Sequence, residues 1–213
     1  MRISTESPTE PMLRPADQDR PEFRILVICT GNLFRSPLAA GLLQQGFDEV
    51  APGRFLVDSA GTAGVSAEPV THEVKSLAAE WGFDLSGFRA RRLQSTDIIE
   101  SDLIIGMERW HRSQAVILEP SALKRSFTLR EFARIIRPLP AAVGLTSRRR
   151  WTQLVSQAQR SRMPHADRPE CDDVVDPHQD WSRLCETMIE QMVPGVFDIV
   201  DWEYRSTVCS PYS

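Results

Sequence analysis

The sequence predicts an α/β fold: a single domain whose parallel sheet is flanked by helices on both faces. Three observations carry that expectation. Residues 23–29, Phe-Arg-Ile-Leu-Val-Ile-Cys, form a short and nearly continuous apolar run, the pattern of a strand covered on both sides. Three further strand-like segments, 54–59, 102–107 and 126–129, alternate with stretches of helical period, and that alternation is the mark of βαβ units. The length of 213 residues, with 41% hydrophobic and 25% charged side chains, suits one enlarged globular domain better than two.

The elements follow in order. Residues 1–22 mix prolines with polar residues and show no apolar period, so they read as a disordered tail. The first strand ends at Cys29. Ser36-Pro37 opens a helix to about residue 50, with Ser36 as N-cap and Pro37 in the first turn. After the second strand, Gly61 leads into a loop, and residues 70–82 read as helical, with Val70, Val74, Leu77, Ala78 and Trp81 on one face. The third strand precedes a helix over 108–118, and the fourth a helix to about 137. Residues 138–170 form an expanded segment with one helix, 147–162, whose Trp151, Leu154, Val155 and Ala158 pack inward while Arg148, Arg149 and Arg150 face outward. Residues 179–193 and on to 204 are helical. The folded domain is expected over 23–205, with 206–213 as a C-terminal tail.

Composition excludes several classes of function. A net charge of −4 argues against nonspecific nucleic-acid binding, and no apolar run approaches a membrane span. The N-terminus lacks the apolar core of a secretory signal. Cys29, Cys171, Cys185 and Cys209 are widely spaced, which points to a reducing, cytoplasmic setting and away from a zinc ribbon or disulfide scaffold. His72, His111 and His165 have no ligand-like companions. Neither a metal nor another cofactor is expected.

The chemistry concentrates in Cys29-Thr30-Gly31-Asn32-Leu33-Phe34-Arg35-Ser36-Pro37, where the first strand turns into a helix. In parallel sheets, ligands bind at that junction. A loop wrapped around a helix N-terminus aims backbone N–H groups at a tetrahedral anion, and the helix dipole stabilises a thiolate there. The thiolate is a nucleophile. Arg35 can hold two phosphate oxygens in its planar fork, which lysine cannot. The Ser36 hydroxyl can donate to the sulfur, and Asn32 tolerates a left-handed backbone. Cleaving a phosphate ester also needs a proton donor, and Asp172, Asp173, Asp176 and Asp180 are candidates.

This loop resembles the Cys-x5-Arg-Ser-Pro signature of the low-molecular-weight protein tyrosine phosphatases. The resemblance extends through Asp58-Ser59-Ala60-Gly61-Thr62, Leu85-Ser86-Gly87 with Arg89, Arg91 and Arg92, Asp102-Leu103-Ile104-Ile105-Gly106-Met107, and Phe127-Thr128-Leu129. It implies a four-stranded parallel sheet and hydrolysis of a phosphoprotein, or of another aryl or alkyl phosphate, through a phosphocysteine. It implies Cys29 as nucleophile, Arg35 as phosphate clamp and, from the Asp-Pro pair Asp176-Pro177, Asp176 as acid. Thr30, Gly31, Asn32, Leu33, Phe34, Ser36 and Ser59 would bind phosphate or support the loop, and Val65 and His178 would line the pocket wall. Two departures stand out. Phe34 occupies the place where many relatives carry a second, redox-protective cysteine. Val65 and His178 stand where relatives often place aromatic pocket walls. A thiol-dependent arsenate reductase and a non-catalytic phosphate-binding module are the competing readings.

Overall fold

The computed structural model describes residues 22–63, 67–162, 169–178 and 180–208. Four parallel strands, β1 (Phe23–Cys29), β2 (Phe55–Gly61), β3 (Leu103–Gly106) and β4 (Ser126–Thr128), lie in the order β2-β1-β3-β4. The chain leaves β1 toward β2 on one side and later returns to its other side with β3. That reversal opens a crevice at the carboxyl ends of β1 and β3, where doubly wound sheets bind their ligands.

Both faces of the sheet are covered. Ile25, Val27, Leu103, Ile105 and Phe127 point to one side, against α1 (Arg35–Val50), α5 (Leu129–Ile136), α6 (Ser147–Arg160) and α7 (Trp181–Val208). Leu26, Ile28 and Ile104 point to the other, against Ile98 of α3 (Ser95–Glu100), Ala115 of α4 (Arg109–Leu118) and Ala122 of a 3-10 turn, Pro120–Arg125. This explains why β1 reads as continuous apolar sequence: alternate residues fill two separate cores. Both edge strands are closed by side chains. Gln44 of α1 accepts from Val57 N–H (2.8 Å) on β2. Arg162 donates to the Ser126 carbonyl on β4 and lays its guanidinium 4.3 Å from the Phe127 ring centroid. An edge strand blocked in this way is a poor template for another chain.

Several expectations need correction. The helix after β2 is shorter than its apolar period suggested: α2 covers His72–Glu80. The short α3 and the 3-10 turn were not read from the sequence, because six residues carry too little period to register. The α1 helix begins at Arg35 with Phe34 at its cap position, not at Ser36, whose hydroxyl is committed elsewhere. The C-terminal helix is continuous from Trp181 to Val208 with Pro194 inside, so it overruns the expected tail boundary at 206. The arginines of α6 do not all face solvent. Arg150 is buried against Glu203 of α7, and Arg148 pairs with Asp102 (2.9 Å) and donates to Glu22 O. Trp151 sits among Phe23, Phe47, Phe55, Phe132 and Trp202, so the expanded segment contributes to the main core. Residues 1–21, Val65, His165 and Cys209 lie outside the described residues.

Candidate active site

The loop after β1 is held from behind by the turn that follows β2. Thr62 N–H and Ala63 N–H donate to the carbonyls of Cys29 and Thr30, each at 2.9 Å. Gly61 lies so close that a Cβ there would meet Thr30 O at 2.7 Å and Asn32 N at 3.0 Å. Only glycine permits this approach. Asn32 then organises the interior of the loop. It adopts φ 57° and is fully buried. Its Nδ2 donates to Ser36 Oγ (3.0 Å) and Ser59 Oγ (2.9 Å), and its Oδ1 accepts from Arg91 N–H (3.0 Å). Both polar atoms of the Asn32 side chain are engaged, which ties the loop to Ser59 and Arg91.

The loop presents Cys29. Its sulfur lies 2.9 Å from Ser36 Oγ and accepts from Asn32 N–H at 3.3 Å. Ser36 Oγ already accepts from Asn32, so its proton is free to point at the sulfur. The N-terminus of α1 has no side-chain cap and no acidic residue in its first turn. Its dipole and orphan N–H groups are left to an anion bound in the loop.

Arg35 is 1% exposed and reaches across the crevice. One terminal nitrogen donates to Glu108 and to Val174 O (2.9 Å). The other donates to Asp176 Oδ2 (2.5 Å) and Thr30 Oγ1 (3.3 Å). Of the four candidate acids before α7, the fold brings only Asp176 to the loop. Asp172 pairs with Arg134, and Asp173 takes Arg109 in a two-pronged ion pair and accepts from Arg109 N–H. Asp180 accepts from Arg183 N–H and Ser182 Oγ at the start of α7. Val174 N–H donates to Met107 O (2.8 Å), tying the acid-bearing segment to the end of β3.

The site gathers a cysteine, a guanidinium and a carboxylate at the turn between β1 and α1. The sequence model described as low molecular weight phosphotyrosine protein phosphatase matches residues 24–138. The chain belongs to that family. The match ends where the expanded segment begins. The Escherichia coli K12 protein named low molecular weight protein-tyrosine-phosphatase Etp is 35% identical over 96 residues, 45% of this chain and 62% of that protein. The aligned part thus spans less than two thirds of that relative. A protein-arginine-phosphatase of Geobacillus stearothermophilus is 32% identical over 110 residues, 52% of this chain and 71% of that one. A low molecular weight protein tyrosine phosphatase structure from T. tengcongensis matches at TM-score 0.59 and 24% identity, covering 84% of this chain and 99% of its own. At that identity the likeness concerns the fold.

Phe34, at the position where many relatives carry a second cysteine, packs on other aromatic rings. Its ring lies 5.4 Å from Trp181 and 5.9 Å from His178, centroid to centroid. An aromatic cluster therefore stands beside the loop, made of Phe34 and Trp181 together with His178, which was expected there. His178 N–H also donates to Asp176 Oδ1 (3.0 Å). Two site residues escaped sequence reasoning. Glu108 carries no motif of its own, and its capping role at α4 hides its contact with Arg35. His111 was weighed only as a metal ligand; it is fully buried with Nε2 2.9 Å from Thr30 Oγ1. The Met107-Glu108 step at the end of a central strand was the available signal for both.

Proposed function

We propose that this protein is a phosphoprotein phosphatase that hydrolyses phosphate monoesters through a phosphocysteine at Cys29, with phosphotyrosine as substrate class. The observation that carries it is the convergence on Arg35 of Asp176, 141 positions away, beside a cysteine whose sulfur is held by two donors. A binding module would need neither the thiol nor the acid.

The steps follow from the contacts. The phosphoryl group enters the loop with two oxygens on the Arg35 fork and the others on backbone N–H groups. That dianion competes with Asp176 for Arg35 and frees the displaced carboxyl to face the leaving oxygen. The Cys29 thiolate attacks phosphorus while the ester P–O bond breaks, and Asp176 gives its proton to the leaving oxygen. Asp176 then takes a proton from water as that water attacks the phosphocysteine. The S–P bond breaks, inorganic phosphate leaves, and the thiolate returns to the Ser36 hydroxyl.

The rings of Phe34, His178 and Trp181 favour an aryl phosphate. The phosphoarginine activity named for the Geobacillus relative is the competing substrate class. Cys29, Cys171 and Cys185 are free thiols, which suits the cytoplasm. The test is turnover of an aryl phosphate, a phosphotyrosine peptide and a phosphoarginine peptide by the wild type and by Cys29→Ser. Turnover lost in Cys29→Ser while phosphate binding persists is the expected result. Turnover retained there rejects the phosphocysteine. No turnover by the wild type leaves the binding module, and arsenate reduction coupled to a thiol would mark a reductase.

A further inference from the structure

His111 is a buried titratable group that the reaction above does not use. It sits at the third position of α4, 0% exposed. Glu108 N–H donates to its Nδ1 at 3.0 Å. That bond fixes the tautomer: Nδ1 accepts, so the ring proton is on Nε2. Nε2 lies 2.9 Å from Thr30 Oγ1 and therefore donates to it. Arg35 donates to the same oxygen at 3.3 Å. Both lone pairs of the threonine hydroxyl are occupied. Its own proton must take the remaining tetrahedral direction, and it has no acceptor among the described residues.

We infer that His111 is a positioning residue of the anion site, orienting the Thr30 hydroxyl so that its proton is offered to an oxygen held on the Arg35 fork. Thr30 directly follows Cys29 in the loop and touches the terminal nitrogen that also holds Asp176. When a phosphoryl oxygen replaces the Asp176 carboxylate there, the hydroxyl gains the acceptor it lacks. Burial and the nearby Arg35 charge push the imidazole down to about 3, so it donates as a neutral ring. It can thus lie close to Arg35 without repelling it or competing for the anion. This inference rests on the phosphate-site reading above but concerns residues that reading leaves without a role.

The experiment compares Thr30→Val, Thr30→Ser, His111→Leu, His111→Gln and the double variant Thr30→Val/His111→Leu in the full chain. Inorganic phosphate affinity is measured by calorimetry, with kcat and KM on an aryl phosphate alongside. Thr30→Val, equal in shape but without the hydroxyl, is expected to weaken phosphate about 10-fold, the effect of losing one hydrogen bond to a charged group. Thr30→Ser should recover most of that loss. His111→Leu should match Thr30→Val, and His111→Gln, which keeps a donor near the Nε2 position, should recover part. In the Thr30→Val background, His111→Leu should add little, because it acts through the hydroxyl. Unchanged phosphate affinity in Thr30→Val overturns the inference. So does a full second loss in the double variant, which would mean that His111 acts only on the fold of α4. If His111→Leu does not fold, the Val and Ser variants of Thr30 still decide. Wild type that binds phosphate without turnover defeats the proposed function and leaves this test intact; wild type that binds no phosphate defeats both.

Discussion

Two buried arginines in this molecule meet carboxylates in different ways. At the far side from the Cys29 loop, Arg150 of α6 meets Glu203 of α7, with side-chain exposures of 8% and 0%. Glu203 also accepts from Ser147 Oγ and Trp151 Nε1, each at 2.8 Å. Every acceptor direction of that carboxylate is filled by the protein, so the pair is closed. At the Cys29 loop Arg35 is just as buried, yet its partners Glu108 and Asp176 are 32% and 37% exposed. In the proposed reaction, the Asp176 carboxylate gives way to an incoming anion. The same ion pair is therefore a rivet in one place and an exchangeable contact in the other. Solvent access to the acid makes the difference.

The contrast can be broken at either end. The largest effect is expected for Arg35→Lys, which keeps the charge and loses the fork: kcat/KM should fall about 1000-fold with the thermal midpoint little changed. A loss under 10-fold would mean that the two-pronged grip is not used. At the closed end, Glu203→Gln strands the Arg150 charge and should cost about 3 kcal/mol in denaturant unfolding, because the remaining charge stays buried. Specific activity of the folded fraction should hold. A similar loss of activity would show that the two ends are coupled.

Asp176→Asn should slow an alkyl phosphate about 100-fold and an ester with a good leaving group only a few-fold, since a good leaving group needs no proton. Equal losses on both would place the acid elsewhere. Gly61→Ala pushes a methyl group into the loop backbone and should cost about 2 kcal/mol, together with part of the phosphate affinity. An unchanged midpoint would show that the loop can move back.

The smallest effect concerns pH. His111 is pushed down from 6.5 to about 3 by burial and by the Arg35 charge. The unfolded chain therefore takes up this proton at a pH where the folded chain refuses it. Stability falls as pH drops from about 6.5 toward 3 and is fully present above 6.5. Denaturant midpoints at pH 7 and pH 5 should differ less in His111→Gln than in the wild type. An equal difference would remove His111 as the source.

The sequence alone determined the class of fold and the local make-up of the Cys29 loop. β1, the turn and the start of α1 are contiguous, so Cys29, Asn32, Arg35 and Ser36 meet through local backbone geometry. Four strand segments with intervening helical periods sufficed for a parallel sheet. The resemblance also singled out Asp176, which the residue pattern left open among four aspartates. Asp180 is taken locally by Ser182 and Arg183 at the start of α7. Only the tertiary structure shows why Asp172 and Asp173 are engaged elsewhere, because Arg134 and Arg109 come from distant stretches of chain. The same holds for Glu108 and His111, brought to Arg35 and Thr30 by pairing β1 with β3. It holds too for α6, where Arg150 is carried inward by a glutamate 53 positions later. A residue's own neighbours fix its backbone. What its side chain meets depends on strand order and helix packing, and those emerge only when the whole core closes.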